Sequence, residues 1–521
     1  MSDTTTVVAR GTSTFLAQSF ISGAFRILNV MMLARLLLVE QMGQVAILAI
    51  IYGIMQFLGA LGLNYASPLV VPEAEQGCHL DRVRAFLNRS VVIIGLTSSV
   101  LAVLLAFLLP LILSSSLLSQ DMQRLVLVIA PLSALSTFLD SFLLARYAVR
   151  PLTAGRILFD FVRMALSVGL VLLGFGVMGV LTGWLCGEVA ALAIFGFSAV
   201  RGCADKPSSI AMRPILAFAL PSLLFQTIDV TIQNTDRVIL VQLTNLGALG
   251  VYDVMLGILF MMSFVSLTVS TSLYPILTRI RIDLETREPG RSGTGMGTVV
   301  TILLRYILLI LLPVAIVGAL NSHTILNILF GTVYSNYPGS SVAFSILVLS
   351  YALWGVVYGL HTVLRSMGES RFFLFAGLAI IAFEVAACWK LVSLFGLLGS
   401  ALTRSVYIML LFFAALWRIR HRGVNGLRSV IGPGLKIASA SFVCGLVLLI
   451  VSPLFLLDLL IWLIVVAVLY VALLFAVKGV EDIDFRVARS VFPRQLHGLL
   501  DRIQKVYSGK LSEQTHPPGD A

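Results

Sequence analysis

Fourteen long apolar runs divide this chain and set the strongest limit on how it can fold. Each run has between 19 and 33 residues, and an α-helix needs about 20 to cross the hydrocarbon core of a bilayer. The runs are continuous and do not alternate polar with apolar residues, which argues against a membrane β-barrel. The sequence therefore predicts an all-α polytopic membrane protein with about 14 transmembrane helices. The runs cover residues 11–36, 44–71, 86–113, 123–147, 152–174, 176–200, 213–241, 246–278, 297–320, 341–366, 371–393, 396–417, 435–453 and 457–477.

The composition supports this fold class, because 59% of the 521 residues are hydrophobic and only 12% are charged. Soluble domains have about 45–50% and about 25%, respectively. The net charge of +11 is spread over many short loops and forms no continuous basic tract, so we expect no nucleic-acid partner. The five cysteines are scattered, without a spacing typical of a metal site or a disulfide framework.

The positions of Lys and Arg predict the orientation of the helices. Of the 36 Lys and Arg residues, 28 lie in or beside connections that alternate along the chain with connections holding almost none. Cytoplasmic loops are enriched in basic residues, so both termini are predicted to be cytoplasmic. The predicted segments are a cytoplasmic N-tail (1–10), an N-lobe of six helices (11–200), a cytoplasmic inter-lobe loop (201–212), a C-lobe of six helices (213–417), two further helices (435–477) and a cytoplasmic tail (478–521) with an amphipathic segment, Phe485–Tyr507.

The seventh run carries an unusual number of polar residues for a membrane helix. Their spacing of 4, 3, 4 and 3 places five of them on one helix face, with Asn234 and Arg237 on an adjoining face. Such a face does not contact lipid, because polar groups at membrane depth are costly. It predicts either the wall of a water-filled cavity or a buried hydrogen-bond network. The five residues are Ser222, Gln226, Asp229, Gln233 and Asp236.

The first run has a similar polar face, formed by Gln18, Ser22, Arg26 and Asn29. If the chain contains two six-helix repeats, runs one and seven are equivalent, which favours a site between the two lobes. Arg26 then either supplies positive charge to a cavity or pairs with a nearby acid.

Other charged residues at membrane depth leave similar alternatives open. In the fifth run, Arg156, Asp160 and Arg163 share a face that suits either a structural network or a substrate site. The remaining membrane acids are further candidates for binding a coupling ion. They are Asp140, Glu188, Asp253 and Glu384.

Motifs of soluble and membrane enzymes are missing from the sequence. It has no Walker loop, dinucleotide fingerprint, HExxH or GxSxG motif. The short outer loops also leave little room for a catalytic domain. We therefore predict a protein that is not an enzyme, with no catalytic residue, metal or cofactor.

Several segments within residues 8–420 resemble the Wzx-type oligosaccharide flippases, the polysaccharide and O-antigen exporters of the multidrug/oligosaccharidyl-lipid/polysaccharide (MOP) exporter superfamily. In chain order the segments are GTSTFLAQSFISGAFRILNVMMLARLL, LGALGLNYASPLVVPE, FALPSLLFQTIDVTIQNTDRVILVQLTNLGALGVYDV, LYPILTRI, LFGTVYSNY, LRSMGESR and LFGLLGSALTRSV. The resemblance implies two six-helix lobes and two further helices in the cytoplasmic membrane. It also implies that the protein flips a polyprenyl-(pyro)phosphate-linked oligosaccharide from the cytoplasmic to the outer leaflet by alternating access.

The polar and charged residues within the predicted helices are the candidates for binding this substrate and a coupling ion. Arginine binds phosphate oxygens in bidentate fashion, which points to Arg26, Arg305 and Arg237 for the phosphate. Asp229 or Asp236 is predicted to bind a coupling H⁺ or Na⁺. The residues predicted to contact sugar are Gln18, Asn29, Gln226, Gln233 and Asn234. Expected partners are the lipid-linked substrate, membrane lipids, and the polymerase and chain-length proteins of surface polysaccharide synthesis, around a functional monomer.

Two other functions fit the same architecture. A cation-coupled drug antiporter of the MATE type shares the expected fold. A membrane-embedded polymerase or ligase of lipid-linked sugars would also be polytopic and polar inside, but it should carry a large charged outer loop, which this chain lacks.

Overall fold

A computed structural model describes residues 2–77, 79–112, 117–201, 203, 210–286, 294–422, 430–477 and 479. Within these ranges the chain forms seventeen helices and no strand. The helices are α1 (Ser2–Leu36), α2 (Val39–Gly59), α3 (Leu63–Gln76), α4 (Leu80–Ile112), α5 (Gln120–Ala145), α6 (Val149–Leu172), α7 (Gly176–Val200), α8 (Met212–Leu243), α9 (Leu246–Thr286), α10 (Thr294–Leu320), α11 (Ser322–Phe330), α12 (Thr332–Ser335), α13 (Ser340–Ser366), α14 (Ser370–Phe395), α15 (Leu397–His421), α16 (Ile431–Val451) and α17 (Leu456–Ala476).

Thirteen helices in the described part of the chain are long and apolar enough to cross a membrane. This confirms the predicted all-α polytopic membrane protein. The fifth predicted span coincides with α6, which is not among the thirteen because it carries Arg156, Asp160 and Arg163. The second predicted run is divided, because Leu61 and Gly62 adopt positive φ angles and separate α2 from α3. The predicted amphipathic segment, Phe485–Tyr507, lies outside the described residues.

Contacts divide the chain into two compact units. The first contains the residues up to Met261, together with Leu329–Leu347 and Ser370–Leu411. The second contains Met262–Ile328, Val348–Glu369 and the described residues from Phe412 onward. The predicted lobes, 11–200 and 213–417, stay a prediction.

In the first unit, α3 to α7 pack around a core that includes three fully buried phenylalanines, Phe86, Phe138 and Phe142. The Phe86 and Phe138 rings meet edge to face, with centroids 5.9 Å apart. In the second unit, α16 packs against α10 and α17. The Asn321 amide donates to the Gly445 carbonyl at 3.0 Å, which ties the end of α10 to α16.

Two glycines let α2 and its junction with α3 approach α8 and α9 closely. A Cβ atom at Gly43 would overlap the carbonyl group of Leu246, the first residue of α9. A Cβ atom at Gly62 would overlap the carbonyl oxygen of Ala219 in α8, and Gly62 has a φ of +72°, which disfavours other residues. The two ends of α2 are therefore braced by backbone contacts that need glycine.

We expect Gly43→Ala to destabilise the protein by about 1–3 kcal/mol, the usual effect of overpacking. Gly53→Ala is the matched control, because nothing lies within 4 Å of a Cβ at Gly53 and alanine favours the helix. The measurement is the thermal midpoint of each purified variant in detergent, followed by size-exclusion chromatography. Equal midpoints for the two variants would contradict this packing.

Candidate functional site

A buried ion pair connects three helices of the first unit. Arg404 in α15 binds Asp236 in α8 through two hydrogen bonds, Nε to Oδ2 at 2.8 Å and Nη2 to Oδ1 at 2.6 Å. Tyr252 in α9 donates its hydroxyl to Asp236 Oδ2. Asp236 is completely buried, and Arg404 is 7% exposed. Because both carboxylate oxygens of Asp236 are engaged, a coupling cation would have to displace Arg404 or Tyr252; its predicted coupling role stays a prediction.

Glu384 in α14 is a buried acid close to this pair. Only 1% of it is exposed, and neither carboxyl oxygen has a hydrogen-bond partner in the described part of the chain. Arg404 and Asp236 are the charges that act on it. An ionised carboxylate without hydrogen bonds is costly in an apolar interior, so the protonated form fits this site. The sequence placed Glu384 only among several membrane acids, because no polar face on α14 distinguishes it.

Arg237 and Asn234 form a second polar group on α8. Arg237 pairs with Asp253 of α9 at 3.0 Å and donates to the Asn234 side chain at 3.1 Å. The side chain of Gln233 is exposed, while its backbone carbonyl accepts a hydrogen bond from Arg404 at 2.8 Å. The predicted polar face of α8 therefore includes one buried ion pair, Asp236 with Arg404, whereas the pair of Arg237 with Asp253 on the adjoining face is part-exposed. The cavity wall and the hydrogen-bond network both stay predictions.

Gln226 and Asp229 are two further predicted residues of α8. Gln226 is half-buried, and its side-chain oxygen is buried without a partner among the described residues. The side chain of Asp229 lies outside the described part of the structure, so its predicted role in ion coupling stays a prediction.

The polar face of α1 contacts charged residues of α6, one of which in turn binds an acid of α5. Gln18 is buried and donates to Ser22 at 3.1 Å, while its own oxygen accepts from Arg156 at 3.3 Å. Arg156 binds Asp140 in bidentate fashion, at 2.6 and 2.7 Å. Gln18 is thus part of a structural network, whereas the side-chain oxygen of Asn29 is buried with no partner in the described ranges.

Arg26 differs from these residues because most of its side chain is accessible. Its Nε donates to Asp160 at 3.1 Å, and the exposed fractions of the two side chains are 57% and 2%. Arg26 lies within the apolar stretch Gln18–Leu36 of α1. Asp160 therefore holds in place an arginine whose remaining donors face outward.

Arg163, on the same helix as Asp160, belongs to a group of buried and part-buried residues. Two members of this group, Tyr52 and Trp184, were not predicted from the sequence. The guanidinium of Arg163 stacks on the Trp184 ring at 4.4 Å, and Tyr52 donates a hydrogen bond to Glu188. Tyr52 and Trp184 escaped notice because an aromatic residue in an apolar helix has no polar spacing to detect. The group supplies a rigid support for α6, the helix that carries Asp160.

Arg305, predicted to contact phosphate, lies in the second unit on α10. It is 4% exposed and donates to the Gly479 carbonyl at 3.0 Å. A phosphate would have to uncover this side chain before binding it. In the described ranges, no group of three or more His, Cys, Asp or Glu residues is arranged to hold a metal.

The turn between α8 and α9 is fixed by a tyrosine outside the membrane spans. Tyr337 donates its hydroxyl to Asn245 Oδ1 at 3.2 Å. Burial raises the pKa of Tyr337, so the phenol stays protonated and able to donate near neutral pH. This contact and the Gly43 contact hold the same turn from two sides.

A cavity of about 430 Å³ opens between α2, α8 and α14 in the first unit. Predicted sugar-contacting residue Asn234 lines it, and so do three threonines of α8. Gln18, Asn29, Gln226 and Gln233 are not among the residues that line it.

We expect Asp236→Asn to cost about 3–5 kcal/mol of stability, because Arg404 would remain buried without its carboxylate. Glu384→Gln should change stability little, since the amide matches a protonated carboxyl in shape. Thermal midpoints and monodispersity in detergent compare the two variants. A large loss for Glu384→Gln would show that Glu384 is ionised and paired, and would refute our assignment.

Comparison with known proteins identifies the family of this chain and proteins that share its fold. A family model described as "Polysaccharide biosynthesis protein" matches residues 32–338. No curated protein sequence matches the chain significantly.

Solved structures of transporters share its fold. A structure of the lipid II flippase MurJ in an inward closed conformation aligns with a TM-score of 0.68 at 13% identity, over 88% of this chain and 97% of that one. An inward-facing multidrug resistance MATE transporter of the MOP superfamily aligns with a TM-score of 0.65 at 13% identity, over 77% and 95%. A mutant MATE transporter from Vibrio cholerae gives 0.56 at 16% identity, over 81% and 99%. Because the family model covers more than half of the chain, this multi-pass membrane protein belongs to the polysaccharide biosynthesis protein family, and it has the fold of the MOP exporter superfamily.

Proposed function

We propose that this protein flips a polyprenyl-(pyro)phosphate-linked oligosaccharide from the cytoplasmic to the outer leaflet of the cytoplasmic membrane, by alternating access and without enzymatic chemistry. Family membership supports a role in polysaccharide synthesis, and the shared fold supports transport. The observation that carries the proposal is the accessible guanidinium of Arg26 within an apolar helix.

An arginine at membrane depth does not face hydrocarbon, because the exposed charge would be too costly there. Arg26 therefore faces a polar environment, which a charged ligand or water provides. Its contact with Asp160 uses Nε, and 57% of the side chain stays accessible. A guanidinium held in this way offers its terminal donors to the oxygens of a phosphate. In this proposal Arg26 binds the anionic group and Asp160 positions it.

Two amide oxygens support sugar binding in the same proposal. The side-chain oxygens of Asn29 and Gln226 are buried, and neither has a partner in the described part of the chain. A buried acceptor without a partner is unfavourable. Sugar hydroxyls would satisfy both atoms once a movement on substrate binding uncovers them. Gln18 and Asn234 already use their side chains in contacts with protein, so they rank lower.

Coupling to H⁺ or Na⁺ is part of the proposal and concerns the acids on α8. Asp236 would exchange a cation only if Arg404 or Tyr252 moved away. We therefore favour Asp229 for direct ion binding, and assign Asp236 to holding α8, α9 and α15 together.

Drug antiport is the second candidate, favoured by the similar fold of the MATE transporters. Fold similarity at this low identity does not separate the two functions. The family match to polysaccharide biosynthesis favours flipping.

The test is deletion of the gene in its native host, followed by localisation of the lipid-linked glycan. We expect surface polysaccharide to fall and the lipid-linked intermediate to accumulate on the cytoplasmic leaflet. Unchanged surface glycan together with altered resistance to cationic drugs would favour the antiporter and overturn the proposal.

Complementation with Arg26→Ala should restore at most about one tenth of the export of the wild-type gene. Loss of charged hydrogen bonds to a phosphate is worth about 1.5–3 kcal/mol, or roughly tenfold or more in binding. Arg26→Lys should be intermediate, since it keeps the charge without the bidentate geometry. Arg124→Ala is the matched control, because Arg124 is 75% exposed at the start of α5. Full export by Arg26→Ala at wild-type protein levels would remove Arg26 from the mechanism.

A further inference from the structure

Helix α2 is in close contact with neighbouring backbone at both of its ends. The cavity lies between these two contacts, where α2 and α8 separate, and α14 forms its third wall. At one end, the Gly62 junction meets Ala219 of α8, and at the other, Gly43 meets Leu246 directly after α8. Between these contacts the helices part and enclose about 430 Å³. This volume falls within the range of about 300–1,000 Å³ that ligand pockets have. All three helices include membrane-spanning stretches, so the space lies at membrane depth.

Four of the five polar residues of α8 that line this cavity direct hydrogen bonds to their own helix, and the fifth, Gln242, is exposed near the end of α8. The hydroxyls of Thr227, Thr231 and Thr235 donate to the carbonyls four residues earlier, at 2.9, 2.7 and 2.8 Å. The amide of Asn234 donates to the Val230 carbonyl at 2.8 Å. With the hydroxyl turned to the backbone, a threonine presents mainly its methyl group to a neighbour. The α8 wall is thus more apolar than its sequence indicates.

The other two walls are apolar apart from the indole N–H of Trp389. Helix α2 contributes Ile50, Ile54, Phe57 and Leu58, and α14 contributes Val385 and Trp389. A sugar placed here would lose its hydrogen bonds to water and gain few from the protein. A hydrocarbon chain would bury apolar surface without that loss. The cavity therefore suits the lipid part of an amphipathic molecule.

A positive charge lies next to this apolar space. Asn234 lines the cavity, and its oxygen accepts a hydrogen bond from Arg237 at 3.1 Å. Arg237 is also paired with Asp253, yet 23% of its side chain is exposed. A cation beside a hydrocarbon-binding cavity is complementary to a lipid whose chain begins at a phosphate.

We propose that the cavity binds a segment of the polyisoprenoid chain of the lipid-linked substrate, with its phosphate end near Arg237 in one state of the transport cycle and at Arg26 in another. This rests on the proposed function, because that function defines an isoprenoid phosphate as the transported lipid. Helix α8 then contacts the chain on its threonine face, and the glycan is held elsewhere.

The test measures binding of a radiolabelled polyprenyl monophosphate to the purified full-length protein in detergent, with excess phosphatidylglycerol present. Val238→Trp should reduce the affinity at least tenfold by filling the cavity, which Val238 lines at 38% exposure. Val443→Trp in α16 is the matched control, with 43% exposure and no contact with the cavity, and should bind like the wild type. Equal affinity of the two variants, or equal displacement of the probe by phosphatidylglycerol, would overturn the proposal.

Thr231→Asn provides a second variant that does not depend on tolerance of a bulky side chain. An amide at this position adds polar groups to an apolar cavity wall, so the affinity for the probe should fall at least about fivefold. Affinity equal to that of the wild type would contradict an apolar site. If wild-type protein binds the probe but Val238→Trp binds it equally well, the cavity assignment fails while the flippase proposal stands. If wild-type protein neither binds the probe nor supports glycan export, both fail.

Discussion

The ion pair between Asp236 and Arg404 determines how the middle of this chain packs. Two charges that leave water at membrane depth are stable only when each satisfies the other, and the bidentate geometry with Tyr252 achieves this. The pair joins α8, α9 and α15, which are separated by up to 168 residues along the chain. Helix α8 also forms a wall of the cavity and carries Arg237, so both features depend on its being held in place.

The fold was largely predictable because the bilayer imposes one simple rule. A span must be helical, apolar and about 20 residues long, and sequence shows all three properties. The rule is weakest where charges interrupt an apolar run, as in α6. It is also weak where the backbone conformation determines whether one helix continues or two helices form. The break between α2 and α3 depends on positive φ angles at Leu61 and Gly62, in the middle of a run that reads as one span.

The sequence predicted which residues share a polar face of one helix, but not which residues of other helices they contact. Periodicity grouped Gln226, Gln233 and Asp236 along α8, yet Asp236 is buried and Gln233 is exposed, because periodicity carries no information about partners on distant helices. Arg26 and Asp160 are 134 residues apart, and nothing local to either residue indicates that they meet. Residue type was also misleading for Thr227, Thr231 and Thr235, which count as polar in a sequence and act as apolar surface in the structure, because their hydroxyls bond to their own helix.

Four of the arginines at membrane depth divide into two groups by what surrounds them. Arg404 and Arg305 are buried against protein acceptors, so their charge stabilises the fold and is inaccessible to a ligand. Arg26 and Arg237 are each paired with one acid but keep part of the side chain exposed. A pairing acid prevents the arginine from being an unbalanced charge when no ligand is bound, and an incoming phosphate can add to the exposed donors without breaking the pair. In the proposed transport cycle, an anionic lipid that must be both bound and released is served better by such partly balanced arginines than by free ones, since a fully unpaired charge would hold phosphate too tightly for turnover.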